Sequence, residues 1–202
     1  MREIFYEESV KVQNEKAETR KFNMYKTIST ILYVLAGIWA IMIYFTLDTR
    51  IFTEGSVLLG ILYVVVPLVM FVGGGILFGI FKKKFYVEYD YTFVSGSIRI
   101  ARVIKNYKRK PLLMFEARDI ERLGKYDSET YYKYESMPGI KKTILTSNRT
   151  PSENKDFYYI VVNCEGEKKL LIIESTEIFL VNILQFAKRT ILEEGFGKKW
   201  YI

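Results

Sequence analysis

The chain has 202 residues, a formal net charge of +7, no histidine and one cysteine, Cys164. The lack of histidine and the single thiol exclude zinc sites built from Cys/His clusters, Ser-His-Asp or Cys-His nucleophile pairs, and an intramolecular disulfide. A lone cysteine without a disulfide framework is typical of a reducing compartment. The sequence predicts no metal site and no cofactor.

The first 26 residues are charged and mixed, with an apolar fringe that includes Phe5 and Val10. We interpret residues 1–26 as a cytoplasmic helical lead-in whose apolar side rests on the membrane or on the soluble domain; a specific partner site is the weaker alternative. A secretory signal would place a short apolar core much earlier. The first apolar run is therefore predicted to be an uncleaved anchor.

Two apolar stretches, residues 27–47 and 56–81, contain no Asp, Glu, Lys or Arg. A bilayer core of about 30 Å requires about 20 helical residues, and both stretches reach that length. Only the short link 48–55 separates them. The sequence therefore predicts an antiparallel transmembrane hairpin over residues 27–81.

The basic residues near the ends of these stretches predict the orientation of the hairpin. Four precede the first stretch and three follow the second, whereas the link contains only Arg50. The positive-inside rule then places both termini in the cytoplasm and residues 48–55 outside a multi-pass protein of the cell membrane. These flanking residues are Lys16, Arg20, Lys21, Lys26, Lys82, Lys83 and Lys84.

Small residues in the second stretch predict close helix packing. Gly75 and Gly79 have GxxxG spacing, and Pro67 marks a kink position. This face is expected to pack on Gly37 of the first helix or on another copy of the chain, and we favour the intramolecular contact. Since no ionisable side chain lies inside either stretch, an ion pathway is not expected.

From Phe85 onward, short runs rich in Val, Ile, Tyr and Phe alternate with turn residues. This pattern predicts an antiparallel sandwich or barrel of about six or seven strands. The clearest hairpin turns at Gly166, with Cys164 at its tip. Residues 175–194 have helical apolar spacing and begin with a plausible cap, Ser175 or Thr176.

This order of strands and a closing helix, over roughly residues 85–194, resembles the bacterial pleckstrin-homology-like (PH-like) domains. The stretch from EYDYTFVSGSIRI onward looks like the opening of such a domain, with a first turn at Ser95-Gly96 and a third strand that ends at Ile120 and Leu123. The resemblance implies a bent, partly open barrel plugged by the C-terminal helix. The predicted fold is thus an α+β membrane protein, in which residues 82–202 form a cytoplasmic PH-like domain, similar to small membrane proteins of Gram-positive bacteria.

The resemblance implies binding or scaffolding rather than catalysis. Phosphoinositide-binding members use basic residues in the loop between the first two strands, and the short turn at Ser95-Gly96 cannot supply them. We predict a non-enzymatic interaction or scaffold module at the inner leaflet that binds a protein partner or another copy. The alternative is a module that senses anionic lipids; neither a nucleic acid nor a small-molecule substrate is expected.

Two groups of basic residues are candidate lipid contacts. Lys82, Lys83 and Lys84 form a stop-transfer anchor beside the headgroups, where each base is worth about 1 kcal/mol. The later group either touches the same leaflet or lies in an ordinary solvated loop. It consists of Lys105, Lys108, Arg109 and Lys110.

Residues 126–139 contain four tyrosines among polar and acidic residues. They predict either an exposed interaction loop or a loop whose tyrosines fold back on the sheet. The carboxylate pairs Asp119/Glu121 and Glu193/Glu194 are not expected to form a catalytic site. The four tyrosines are Tyr126, Tyr131, Tyr132 and Tyr134.

Overall fold

A computed structural model describes residues 4–46, 57–105, 108–164, 166–188, 191–193 and 196. The chain forms two compact units. One consists of Asn14–Tyr86, and the other combines Met1–Gln13 with Val87–Ile202. The predicted link 48–55 lies outside the described residues.

The first unit is an antiparallel pair of long helices, α1 (Glu15–Thr46) and α2 (Val57–Phe81), followed by a 3-10 turn over Lys82–Lys84. Both helices are long and apolar enough to cross a membrane. Helix α1 begins well before residue 27, where the first apolar stretch starts. The Asn14 side chain caps it by accepting a hydrogen bond from the Ala17 amide, 3.1 Å away.

The second unit begins with a four-stranded antiparallel sheet in the order β1-β2-β3-β4. Its strands are β1 (Phe5–Val10), β2 (Val87–Val94), β3 (Ser97–Ile104) and β4 (Lys108–Glu116). The predicted turn at Ser95-Gly96 joins β2 to β3, and both residues adopt positive φ. In sequence, the helical unit therefore lies between β1 and β2, which pair directly in the sheet.

The helical lead-in predicted for residues 1–26 is wrong for residues 5–10, which form strand β1. Tyr6, Glu8 and Val10 lie on the more buried side of this strand. Because a carboxylate occupies one of the inward positions, the apolar alternation that would identify a strand is interrupted. Consequently Ser95-Gly96 connects the second strand to the third, and the first connection is residues 11–86.

The second sheet contains β5 (Ile120–Lys125), β6 (Lys141–Ile144), β7 (Asp156–Cys164) and β8 (Glu167–Ser175), in the order β5-β7-β8-β6. Strand β6 runs parallel to β8. The prediction of a fully antiparallel sheet is therefore wrong for this strand. The run predicted as one third strand is also divided. A 3-10 turn over Ala117–Asp119 separates β4 in the first sheet from β5 in the second.

The hairpin predicted around Gly166 is present, since β7 and β8 pair antiparallel and Gly166 has φ +83°. Cys164 is the last residue of β7 rather than part of the turn. Its side chain is buried and packs in the core.

Two short helices complete the unit, α3 (Glu129–Glu135) and α4 (Glu177–Phe186). Helix α4 is shorter than the predicted 175–194, because Ile191 and Leu192 instead form a parallel bridge along β5. There the Leu123 amide donates to the Ile191 carbonyl at 2.8 Å. The predicted stop at Gly195 lies outside the described residues.

One core cluster combines side chains from both sheets and α4. Its largest members include Tyr91 and Phe93 from the first sheet and Phe179 from α4, all essentially inaccessible. A smaller cluster packs Tyr131 of α3 against the second sheet. The second unit is therefore an α+β fold with the C-terminal helix in its core.

Candidate interaction surfaces

The predicted glycine face of α2 packs against α1, but not against Gly37. A Cβ at Gly75 would lie 2.9 Å from the Tyr33 ring, and one at Gly79 would lie 3.5 Å from Ser29 Oγ. Ser29 also donates a hydrogen bond to the Gly75 carbonyl at 2.7 Å. The intramolecular contact is thus present, as small residues at helix interfaces permit.

The segment that follows α2 joins lysines to an aromatic cluster within the helical unit. Tyr25 packs on Phe85 with ring centroids 4.9 Å apart, and Lys84 Nζ lies 4.8 Å from the centre of the Phe81 ring. Lys83 and Lys84 are exposed, whereas Lys82 is partly buried. This arrangement, an aromatic belt bordered by cations, is typical of helix ends at a membrane interface.

The second basic group begins at the turn between β3 and β4, but its members differ in environment. Lys105 is partly buried, while Lys108 and Lys110 are exposed at the start of β4. Arg109 crosses the outer face of the sheet, where its guanidinium lies 3.1 Å from Asp90 and 3.7 Å from Glu7. The neighbouring Tyr107 lies outside the described residues.

This basic turn lies at the end of the sheet where the chain leaves for the helical unit and returns from it. Val10 ends β1, and Val87 begins β2. Val87 pairs with Ile104, which in turn pairs with Lys108. The end of β1, the start of β2 and the turn between β3 and β4 therefore lie at the same end of the sheet.

The outer face of the first sheet contains an apolar groove that sequence reasoning missed. It has a volume of about 630 Å³, and we call it the sheet groove. Met114 and Leu112 of the edge strand β4 border it, with 60% and 40% of their surfaces exposed. Its lining residues are Thr92, Arg99, Ile100, Ala101, Pro111, Leu112, Leu113 and Met114.

A β-bulge explains why two apolar side chains of one strand are exposed at the groove. Ala101 pairs with Pro111, but Ile100 pairs with Leu113, so Leu112 is an extra residue in β4. A bulge redirects side chains locally. The signal in the sequence was the run PLLM directly after three bases, which alternation alone does not distinguish from a core strand.

Most of the predicted tyrosine loop folds back on the second sheet. Tyr131 of α3 is fully buried and packs against Tyr126 at 4.8 Å and Tyr159 at 6.0 Å between ring centroids. Burial raises the pKa of Tyr131 to about 12. Tyr134 also lies against Tyr159, at 6.5 Å, whereas Tyr132 remains half exposed and donates to Asp127.

A buried carboxylate, Glu174 at the end of β8, organises the loop between β6 and β7. It accepts hydrogen bonds from Thr146 Oγ1 at 2.5 Å, Asn148 Nδ2 at 2.9 Å and the Ser152 amide at 2.8 Å. Asn148 Nδ2 also donates to the Lys11 carbonyl at 3.0 Å. The hydrogen bonds to Glu174 have a structural role, because a buried charge requires such donors.

A second buried carboxylate, Glu8 of β1, joins the strand to the rest of its unit. Lys155 Nζ lies 2.8 Å from Glu8 Oε1, and both side chains are largely buried. The Thr176 amide donates to the same oxygen at 3.1 Å. These contacts stabilise the buried charge of Glu8, the residue that interrupts the apolar alternation of β1 in the sequence.

The carboxylate pairs considered in the sequence serve other contacts. Asp119 accepts a hydrogen bond from the Glu116 amide at 3.3 Å, and Glu121 forms an ion pair with Lys168 at 2.7 Å. Glu193 accepts from Ser128 Oγ at 3.0 Å, and Glu194 lies outside the described residues. Among the described residues, no group of three or more Cys, Asp or Glu side chains forms a metal-binding cluster.

The chain matches the family described as Bacterial PH-like domain (DUF6106) over residues 2–193. No curated protein and no solved structure matches the chain significantly. The matched region begins before β1 and includes both helices, so it is wider than the resemblance seen over residues 85–194. The chain belongs to this bacterial PH-like domain family.

Proposed function

We propose that the protein is a membrane-anchored interaction module that holds its PH-like unit at the inner leaflet of the cell membrane, with both termini in the cytoplasm. The supporting observation is the exposure of the helices. Only 17% and 6% of their most apolar windows are buried, whereas the core helix of a soluble protein would be mostly buried. A bilayer is the environment in which such surfaces are stable.

The place of the helical unit within the fold supports interaction over lipid recruitment. Phosphoinositide-binding members use the loop between the first two strands, and in this chain that connection contains α1 and α2. An anchor built into this connection removes the need for headgroup recognition to reach the membrane. The exposed sheet groove then remains for a protein contact.

Crosslinking in the native membrane tests the interaction. A photoreactive residue is placed at Met114, Tyr132 or Ile144 of the full chain, three positions that are all well exposed. An adduct larger than the single chain is expected from at least one position. If none of the three positions gives an adduct, the module does not hold a protein partner through these surfaces and the proposal fails.

Cysteine labelling tests the membrane topology. Cys164 is buried and would escape labelling on either side, so it is replaced by alanine. Ser56→Cys, directly after the predicted outer link 48–55, is expected to react with an impermeant reagent in intact cells, whereas exposed Ile144→Cys is expected to react only after permeabilisation. The reverse pattern would overturn the orientation.

Sensing of anionic lipid is the second candidate, and the position of the basic turn favours it. Only residues 82–86 separate the end of α2 from the start of β2. Lys108 lies at the same end of the sheet as the start of β2, because Val87 pairs with Ile104 and Ile104 pairs with Lys108. A headgroup contact by Lys108 and Lys110 would be salt-sensitive.

Lysine acetylation of the full chain in bilayer discs distinguishes this candidate. Lys108 and Lys110 should be protected in discs that contain anionic lipid, and salt should remove the protection. Exposed Lys141, on β6, is the matched control and should react equally in every disc. Equal reactivity of Lys108 in anionic and zwitterionic discs would contradict lipid sensing.

A further inference from the structure

We propose that the sheet groove binds a protein segment that presents a carboxylate beside apolar side chains. This inference rests on the proposed interaction function and names the chemistry of the partner. The groove is formed by β2, β3 and β4 and belongs entirely to the second unit.

The floor of the groove combines one cation with apolar walls. Thr92, Arg99 and Met114 lie side by side on three paired strands. Ala101 and Pro111 form the next pair along the same strands, and Leu112 borders them. The lining therefore contains a single charged residue, Arg99, and it is basic.

Arg99 is exposed and forms no ion pair or hydrogen bond with any residue that the structure describes. Its guanidinium differs in this respect from that of Arg109, which Asp90 and Glu7 already engage. A guanidinium presents a planar fork of donors that matches a carboxylate, and such charge-assisted pairs are the stronger hydrogen bonds. Arg99 thus supplies the anchor for an acidic side chain.

The apolar walls require a partner with apolar side chains next to that acid. Met114 is flexible and polarisable, and exposed methionines suit surfaces that adapt to a partner. Lys108 and Lys110 precede the groove residues on β4 and add positive potential, and neither side chain contacts an acidic group among the described residues. Charge complementarity therefore favours an acidic, apolar segment over a basic one.

The groove and the basic residues at the start of β4 lie at different places along the strand. Leu112 and Met114 come four and six residues after Lys108, and Leu112 is the extra residue of the bulge. A protein segment can therefore occupy the groove without displacing a contact of Lys108.

Selection from a pool of random short peptides displayed on phage, against the full chain in zwitterionic discs, tests the proposal. Peptides that carry Asp or Glu next to Leu, Ile or Phe are expected to be enriched. Met114→Glu and Arg99→Glu should each weaken their binding by about tenfold or more, because each change places a like charge in the groove. Exchange of acid for Lys in a selected peptide should restore binding to Arg99→Glu.

Ile144→Glu is the matched control, because Ile144 is equally exposed but lies on β6 of the second sheet. Ile144→Glu should alter peptide binding less than about twofold.

The proposed binding site at the groove is wrong if the selected peptides bind Met114→Glu and Arg99→Glu as tightly as they bind the native chain, or if basic peptides are enriched. Protection of Met114 by anionic discs, or crosslinks at Met114 between two copies, would also overturn it in favour of a bilayer or a self-contact. Crosslinks from Ile144 or Tyr132 alone would leave the interaction module standing without the groove.

Discussion

Val10 and Tyr89 are paired neighbours in the first sheet, although the whole helical unit separates them in sequence. Val10 is fully buried, and it packs in the same core cluster as Phe93 and Ile98. The PH-like unit is therefore completed by a strand from before the helices. Both connections of the helical unit start from adjacent strands of one sheet.

A chain that begins at residue 85 should consequently fail to fold, because it lacks β1 and leaves Tyr91 and Phe93 beside an open edge. Residues 4–13 joined to residues 87–193 by a short Gly/Ser linker should give a soluble folded unit, since Val10 and Val87 belong to adjacent strands. Circular dichroism and denaturant unfolding measure the folding of these two chains. A cooperative transition of the shorter chain would contradict the assignment of β1 to the core.

The sequence was informative where local patterns decide the structure. The two charge-free stretches, the turn at Ser95-Gly96 and the hairpin at Gly166 each follow from a short-range signal. Strand β1 was missed because it contains the inward-facing charge of Glu8. The two partners of this carboxylate are Lys155 and Thr176, which come from distant parts of the chain.

The end of the last helix and the sheet groove were missed for a related reason. Ile191 and Leu192 satisfy the apolar spacing of a helix, but the edge of β5 offers them hydrogen bonds and a buried position. The exposure of Leu112 and Met114 depends on the bulge and on the edge position of β4. Tertiary context decides both features, and no local pattern contains it.

Packing of α2 on α1 should depend on Gly75 but not on Gly73. A side chain at Gly75 meets the Tyr33 ring, whereas a Cβ at Gly73 meets nothing within 4 Å. We expect Gly75→Leu to destabilise the hairpin by about 1–3 kcal/mol, the usual cost of overpacking, and Gly73→Leu to be nearly neutral. Unfolding of the full chain in mixed detergent measures both, and equal stabilities would contradict this packing.

Glu174→Ala should destabilise the PH-like unit by about 3 kcal/mol or more. The change removes the acceptor of Thr146, Asn148 and Ser152 and leaves buried donors without a partner. Glu177→Ala, an exposed position three residues later, is the control and should stay within about 0.5 kcal/mol of the native chain. Denaturant unfolding compares the three chains; similar midpoints for the two variants would contradict the network.

The tyrosines of the second unit should make its stability fall at high pH. Burial raises the pKa of Tyr131 and of Tyr158 to about 12, while an unfolded tyrosine titrates near 10. The folded state therefore retains protons that the unfolded state loses, so the contribution of these tyrosines to stability is constant below about pH 10 and falls as the pH rises toward 12. Tyrosinate absorbance and unfolding free energy measure this together, and Tyr131→Phe should flatten the dependence.

Helix α4 should stabilise the core through its first two turns more than through its last residue. Steps of four and three residues predict Phe179, Ile183 and Phe186 on one inward stripe of the helix, but the structure buries them to different degrees. Phe179 and Ile183 are 1% and 0% exposed, whereas Phe186 is 37% exposed. Phe179 packs on Tyr91 at 5.7 Å between ring centroids, and Phe186 packs on Phe93 at 5.5 Å.

We therefore expect Phe179→Ala to cost about 3–5 kcal/mol of unfolding free energy and Phe186→Ala about 1–2 kcal/mol, because less apolar surface leaves the core at the helix end. Ile178→Ala is the control on the same helix, since Ile178 is 61% exposed and should tolerate the change within about 0.5 kcal/mol. Denaturant unfolding of the full chain in mild detergent ranks the three variants. A chain that ends at Glu174 lacks both buried side chains and should aggregate, while its helical unit still inserts. If that truncated chain keeps a cooperative transition, or if Phe186→Ala costs as much as Phe179→Ala, helix α4 does not close the core in the way that its burial indicates.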